Sequence, residues 1–110
     1  MVDLSLCFEV HQPIRLNKDF FWGRSLHKEV VPDIWDFYFD DAENRRIFER
    51  ISEKCYLPAN KIILESIQKH AESEKPFKVA YSFSGIFLEQ CQKIRPDVLD
   101  SFIKFSQFII

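Results

Sequence analysis

Glycine is scarce in this chain, which has two glycines among 110 residues against twelve phenylalanines. So few glycines leave little room for tight hairpins with positive φ, which argues against an all-β meander. Long apolar runs are also missing, so the sequence predicts no transmembrane helix. The N-terminus has no basic stretch followed by an apolar one, and we therefore expect no secretory signal.

An excess of positive charge is missing as well. The chain carries 15 Lys and Arg against 17 Asp and Glu, a net charge of −2. This balance indicates neither a nucleic-acid surface nor a polybasic membrane patch. With 46% hydrophobic and 29% charged residues, the composition is that of a globular protein, and the length suits one domain or part of a larger one.

Cysteine pairs are not evident in the sequence. Cys7, Cys55 and Cys91 are widely spaced, odd in number and free of any Cys-x-x-Cys motif. We therefore expect buried free thiols in a reducing cytoplasm, and no zinc or other metal site. Nucleotide-binding and nucleophile-elbow glycine motifs are missing too, and no cofactor is expected.

Two short segments alternate in the manner of β-strands. Residues 3–10 put Leu4, Leu6, Phe8 and Val10 on one face, and Pro13 is expected to end this strand. Residues 77–83 alternate in the same way, with Phe77, Val79, Tyr81 and Phe83 on one face.

Four helices are predicted from the remaining pattern. One begins near Asp41, and a second has Pro58 in its first turn. Ser84 is typical of a helix N-cap before a third helix, and Pro96 opens a fourth. The positions expected to be apolar and buried in these helices are Ile47, Phe48, Ile51, Cys55, Ala59, Ile63, Ile67, Ala71, Phe87, Leu88, Cys91, Ile94, Val98, Phe102, Phe105 and Ile109.

The order strand, long loop, two helices, strand, two helices predicts parallel strands and an α/β fold. Two strands cannot cover their own edges, and parallel sheets normally lie between helices. We therefore expect the first portion of a longer fold, with a complete small domain as the alternative.

Glu9 and His11 lie on the same side of the first strand at its C-terminal end, where parallel α/β folds bind ligands. A carboxylate beside an imidazole could bind sugar hydroxyls, share a proton or help to hold a metal. The alternative is that Glu9 pairs with a neighbouring barrel lysine or arginine and His11 caps the turn. Gln12 offers both a donor and an acceptor, although the pattern alone favours the alternative of an ordinary loop amide. Ser84 belongs to the same rim.

Residues 13–40 form a long segment without a clear period, and such segments are often functional. Its candidate contacts are Arg15, Asn17, Trp22 and Trp35, because aromatic faces stack on sugar rings and polar groups bind hydroxyls. The alternative is that the aromatic residues pack the loop onto the body, which we prefer for Phe20, Phe21, Phe37 and Phe39. The small residues Ser82, Ser84 and Gly85 would let backbone or ligand come close.

Four stretches in the same order resemble glycoside hydrolase family 57, and especially its archaeal α-amylase-like branch. They are LCFEVHQPIRL, CYLPANKIILESI, SFSGIFLEQ and RPDVLDSF. The resemblance implies that residues 1–110 are the first two βα units of an incomplete (β/α)7 barrel, with parallel strands and helical connections. It implies an α-glucan substrate and a retaining hydrolase or glucanotransferase.

The same resemblance assigns His11, Gln12 and Pro13 to the donor-sugar subsite. Glu9, two positions before His11, and Trp22, in the long loop, are further candidate substrate contacts. Some relatives carry a second histidine where this chain has Glu9. The glutamate nucleophile and the aspartate acid/base lie beyond the resembling region, so no catalytic residue is expected here and the chain alone should be inactive. The alternatives are a split subunit completed by a downstream polypeptide, and a non-catalytic carbohydrate-binding or interaction domain.

Overall fold

A computed structural model describes residues 2–18 and 38–105 of the chain. Within them, two strands and four α-helices follow the predicted order. They are β1 (Leu6–Val10), α1 (Asp41–Ile51), α2 (Leu57–His70), β2 (Val79–Phe83), α3 (Gly85–Ile94) and α4 (Pro96–Ile103). The strands pair in parallel, and the α/β class is confirmed.

The strand β1 is shorter than the alternation of its sequence predicts. It begins at Leu6, opposite Val79, and ends at Val10, opposite Phe83. A strand extends only as far as it has a partner, and β2 is also five residues long. The end of β1 is therefore set by the end of β2 rather than by Pro13, which comes three residues later.

The two faces of this sheet differ in their surroundings. On one face, Val10, Tyr81 and Phe83 pack against the helices, although Leu6 and Phe8 remain more than one third exposed. The other face carries Cys7, Glu9, Ala80 and Ser82, all of them exposed. Such alternation follows from the period of two, because successive side chains point to opposite faces.

The core is built from seven buried residues, most of them phenylalanines: Phe48, Ile67, Phe87, Cys91, Val98, Phe102 and Phe105. All seven were predicted to be apolar positions of helices. The ring of Phe87 is fully buried, with ring centroids 5.9 Å from Phe48 and 5.9 Å from Phe102. This residue therefore joins α1, α3 and α4, while the predicted position Ile109 lies outside the described residues.

The prediction of buried thiols is correct for Cys91 and wrong for Cys7 and Cys55, which are both exposed. Cys7 lies on the sheet face that no described element covers. Cys55 lies in the segment that joins α1 to α2. All three cysteines are free thiols in the structure.

The helices α1 and α2 form one continuous run, joined by a π-helical segment, Ser52–Tyr56. Pro58 lies in the first turn of α2, as predicted. Proline has no N–H to donate to the carbonyl four residues earlier, so the α-helical ladder cannot continue unbroken here. Wide π turns often occur near functional sites, and this one carries Tyr56.

Side chains cap two of the helices at their N-termini. The Asp40 carboxylate accepts from the Glu43 N–H at 3.0 Å, and Ser84 Oγ accepts from the Phe87 N–H at 3.1 Å. The cap at Ser84 confirms the prediction for α3. In the two ranges that the structure describes, no helix is both long enough and apolar enough to cross a bilayer.

Candidate functional site

The C-terminal ends of β1 and β2 lie side by side and form a rim. Here the consecutive residues Val10, His11 and Gln12 make hydrogen bonds to the unit formed by β2 and α3. The Val10 carbonyl accepts from the Ser84 N–H at 3.1 Å. Nδ1 of His11 lies 2.7 Å from Ser84 Oγ, and the Gln12 carbonyl accepts from Gln90 Nε2 at 2.7 Å. The predicted proximity of His11 and Ser84 is therefore confirmed.

The side chain of Gln12 is buried beneath this rim, with 6% of the residue exposed. Its amide lies between the Tyr56 hydroxyl, at 3.4 Å, and the Arg15 guanidinium. With the amide oxygen toward Arg15, two guanidinium nitrogens donate to it at 3.0 and 2.9 Å. Within the chain, Gln12 therefore braces the turn, and the predicted contact with substrate stays a prediction.

Asn44 of α1 holds the backbone of Arg15 at the start of the long loop. Its Oδ1 accepts from the Arg15 N–H at 2.7 Å, and its Nδ2 donates to the Arg15 carbonyl at 3.1 Å. Asn44 is only 5% exposed, so water cannot readily replace these bonds. The backbone directly after the His-Gln-Pro turn is therefore held by α1.

The two ends of the long loop lie side by side. An antiparallel bridge joins Leu16 to Phe39, and the Asn17 N–H donates to the Tyr38 carbonyl at 2.7 Å. The Asp40 N–H also donates to the Arg15 carbonyl, at 3.2 Å. The loop therefore starts and ends next to the rim. Of the predicted loop contacts, Trp22 and Trp35 lie outside the described residues, as do Phe20, Phe21 and Phe37.

Glu9 is exposed on the open sheet face, opposite Ser82 in the register. No salt bridge joins it to a lysine or arginine in the described ranges. The alternative in which Glu9 pairs with a neighbouring barrel lysine or arginine stays a prediction. Pro13 is exposed, and its carbonyl accepts from the Arg15 guanidinium at 3.1 Å.

A groove of about 370 Å³ runs beside β1 and reaches the rim at Glu9 and His11. Its wall is largely apolar, with Phe8, Tyr81 and Ile63 among its lining residues. Burial raises the pKa of the Tyr81 hydroxyl, and in the same way raises that of Tyr56. Both hydroxyls are therefore neutral at physiological pH.

Gly85 follows Ser84, and the sequence suggested that its small size lets backbone or ligand come close. A Cβ added at Gly85 would meet no atom within 4 Å. No described backbone comes close to Gly85, and the expected approach of a ligand stays a prediction. In residues 2–18 and 38–105, no three histidine, cysteine, aspartate or glutamate side chains come together in a way that could hold a metal ion.

The comparisons with known proteins agree with this geometry. The family model described as Glycosyl hydrolase family 57 matches residues 5–107, nearly the whole chain. The chain belongs to glycosyl hydrolase family 57. The match includes both strands, all four helices and the rim at His11.

A curated protein of Methanocaldococcus jannaschii, named "Putative alpha-amylase", is similar to this family 57 chain. The two are 39% identical over 95 residues, which cover 86% of the chain and 18% of the relative. The chain thus spans less than a fifth of the length of the curated protein that it matches. No solved structure matches the chain.

Three supporting residues of this family 57 rim were not predicted from the sequence: Asn44, Tyr56 and Gln90. Two of them carried a weak signal, since each is a polar residue inside an apolar helical stripe. Asn44 lies four residues before Phe48, and Gln90 lies three after Phe87. A polar group at a core position must find a partner, so such residues are candidates for holding a neighbouring loop.

Proposed function

We propose that residues 1–110 are the N-terminal segment of the catalytic barrel of an α-glucan-active family 57 enzyme. In this proposal they form the first two βα units of an incomplete (β/α)7 barrel, and the rest of the barrel is a further part of the same polypeptide or a partner. The substrate is a starch- or glycogen-like glucan, and the enzyme is a retaining hydrolase or glucanotransferase that needs no cofactor.

The observation that carries this proposal is the exposed imidazole of His11, held at the C-terminal ends of two parallel strands. In α/β folds ligands bind at that end of the sheet. Nδ1 of His11 is occupied by Ser84, and Nε2 makes no hydrogen bond within the described residues. That nitrogen is therefore free to bind a sugar hydroxyl in the donor-sugar subsite.

Support for the barrel comes from the sheet face opposite the helices. In a barrel this face turns inward, and here it carries small or polar residues, Cys7, Glu9, Ala80 and Ser82, left uncovered by the described elements. Glu9 would then lie inside the barrel near the subsite. Its role is to bind or orient the glucan, while the reacting carboxylates come from other strands.

The roles of the remaining predicted contacts follow from the same placement. Gln12 and Pro13 shape the turn that presents His11, and Trp22 stacks on a sugar ring from the loop whose ends lie beside the rim.

A cytoplasmic location is supported by two exposed free thiols, Cys7 and Cys55, which an oxidising compartment would not preserve.

The experiment compares two samples on maltoheptaose, with the products separated by chromatography. One is the chain of 110 residues, and the other is the complete polypeptide in which it is encoded, together with any downstream partner. We expect no conversion by the chain alone and conversion by the complete protein. Conversion by the chain alone would show that it holds a catalytic pair, and failure of the complete protein on every α-glucan would refute the proposed substrate.

A further inference from the structure

The β2–α3 unit holds the His-Gln-Pro turn through three hydrogen bonds that come from only two of its residues. Ser84 provides the backbone N–H for Val10 and the hydroxyl for His11, and Gln90 provides the amide for the Gln12 carbonyl. Two of these bonds are 2.7 Å long, which is short for a neutral pair containing nitrogen. The turn is thus attached at each of three consecutive residues.

The hydroxyl of Ser84 has a limited capacity, which decides how it meets the histidine. A serine hydroxyl offers one proton and two lone pairs. One lone pair accepts from the Phe87 N–H at 3.1 Å, as the N-cap of α3. Among the described residues, His11 Nδ1 is the acceptor left for the hydroxyl proton. Donation from Ser84 to Nδ1 therefore gives the hydroxyl proton its acceptor and leaves one lone pair over.

This arrangement has a consequence for the other ring nitrogen. A neutral imidazole carries one proton, and the bond made at one nitrogen fixes which tautomer is present. If Nδ1 accepts from Ser84, the proton is on Nε2, which makes no hydrogen bond among the described residues. The histidine then meets a ligand as a hydrogen-bond donor with a fixed orientation.

We propose that Ser84 is a positioning residue that fixes both the tautomer and the orientation of His11, so that Nε2–H is presented to an oxygen of the bound sugar. This inference rests on the proposed function for the identity of the ligand. The tautomer itself is a property of the free chain and can be measured without any ligand. Gln90 completes the arrangement by fixing the next residue of the turn through its carbonyl.

The test needs variants that separate the histidine contact from the helix cap. Ser84→Gly removes the hydroxyl, yet glycine is an acceptable N-cap and costs only a few tenths of a kcal/mol at that position. Ser84→Thr keeps a hydroxyl on the same carbon and is the matched control. His70 serves as an internal reference, because it is exposed and makes no side-chain hydrogen bond among the described residues.

The measurement is an NMR spectrum of the imidazole nitrogens in the chain of 110 residues, at about pH 8.5, where an ordinary histidine is neutral. For wild type and Ser84→Thr we expect His11 to have an unprotonated Nδ1 and a protonated Nε2, more uniformly than His70. For Ser84→Gly we expect the shifts of His11 to move to those of His70. A protonated Nδ1 in wild type, or unchanged shifts in Ser84→Gly, would overturn the inference.

A second measurement connects the tautomer with the sugar. In the complete polypeptide we expect Ser84→Gly to lower kcat/KM for maltoheptaose about three- to tenfold, the effect of one mispositioned neutral hydrogen bond. We expect the change mainly in KM, because the contact is made in both ground and transition states. Ser84→Thr should stay within about twofold of wild type. Equal decreases of kcat/KM in both variants would refute the positioning role. If the complete protein does not act on maltoheptaose, the proposed substrate is refuted, and the tautomer result still stands.

Discussion

Asn44→Ala is the perturbation that most sharply tests how the rim is supported. Asn44 makes two bonds to the backbone of Arg15, at 2.7 and 3.1 Å, and it is 5% exposed. Each bond contributes about 1 kcal/mol, and the Arg15 N–H is left without a partner, so the expected loss is about 2 to 3 kcal/mol. The Arg15 carbonyl keeps the Asp40 N–H at 3.2 Å, which limits the loss.

Asn60→Ala is the matched control, because Asn60 is equally buried and loses the same side-chain atoms. Its amide makes one bond, to Ser101 Oγ at 2.8 Å, and Ser101 keeps its own bond to the Val98 carbonyl. The expected loss is therefore about 1 kcal/mol. Both variants are measured by urea unfolding of the 110-residue chain, and the comparison requires equal slopes of free energy against urea.

The reasoning also predicts where the damage occurs. Asn44→Ala should speed hydrogen exchange at the Asn17 and Asp40 amides, which close the two ends of the long loop, whereas Asn60→Ala should not. Losses that agree within about 0.5 kcal/mol, below the value of one hydrogen bond, would refute the claim that Asn44 holds the loop through two backbone bonds. Unchanged exchange at both amides would refute it as well.

Three further predictions follow from the core, the thiols and the ion pairs. Phe87→Ala should destabilise the chain by about 3 to 5 kcal/mol, since Phe87 is fully buried. The control Ile86→Ala, at a position 42% exposed, should cost less than about 1 kcal/mol. Similar decreases in the unfolding temperature of the two variants would contradict this. Alkylation of the native chain near neutral pH should modify Cys7 and Cys55 but spare Cys91 until the chain unfolds, because burial raises the pKa of Cys91 to about 11. Equal alkylation rates of the three thiols, measured by mass spectrometry, would contradict this. The Arg95 guanidinium lowers the pKa of Asp97 below its ordinary 3.8. This ion pair therefore stabilises the fold above that pH, and its contribution is lost as the pH falls through the lower pKa of the folded state. Because the Asp97 side chain is 52% exposed, Asp97→Asn should remove under about 1 kcal/mol of the acid sensitivity, and an acid unfolding curve unchanged by the variant would contradict the pairing.

Much of the fold could be predicted because its signals are local. Alternation over a few residues indicates each strand, and the cap at Ser84 needs only the three residues that follow it. The buried positions Phe48, Phe87 and Phe102 follow from helical spacing. Each of these inferences uses neighbours in sequence, and the physical cause of the structure lies within one or two turns.

The parts that escaped prediction depend on partners far away in the sequence. Tyr56 lies 44 positions from Gln12, and Gln90 lies 78 positions from the carbonyl that it binds. A polar residue in an apolar stripe signals that a partner is needed, but the identity of that partner is decided only by the packing. Cys7 shows the same limit, because its exposure depends on which sheet face is covered.

The central claim is that the rim at His11 binds α-glucan, and the most direct measurement of it is the kinetic effect of His11→Ala in the complete polypeptide with maltoheptaose. His70→Ala is the control, an exposed histidine whose neighbours lie at the opposite end of the sheet, beside Lys78 and Val79. We expect His11→Ala to lower kcat/KM at least about tenfold, the loss of a well-formed hydrogen bond, and His70→Ala to stay within about twofold of wild type. Equal activity of the His11→Ala variant and the wild-type enzyme would contradict the claim.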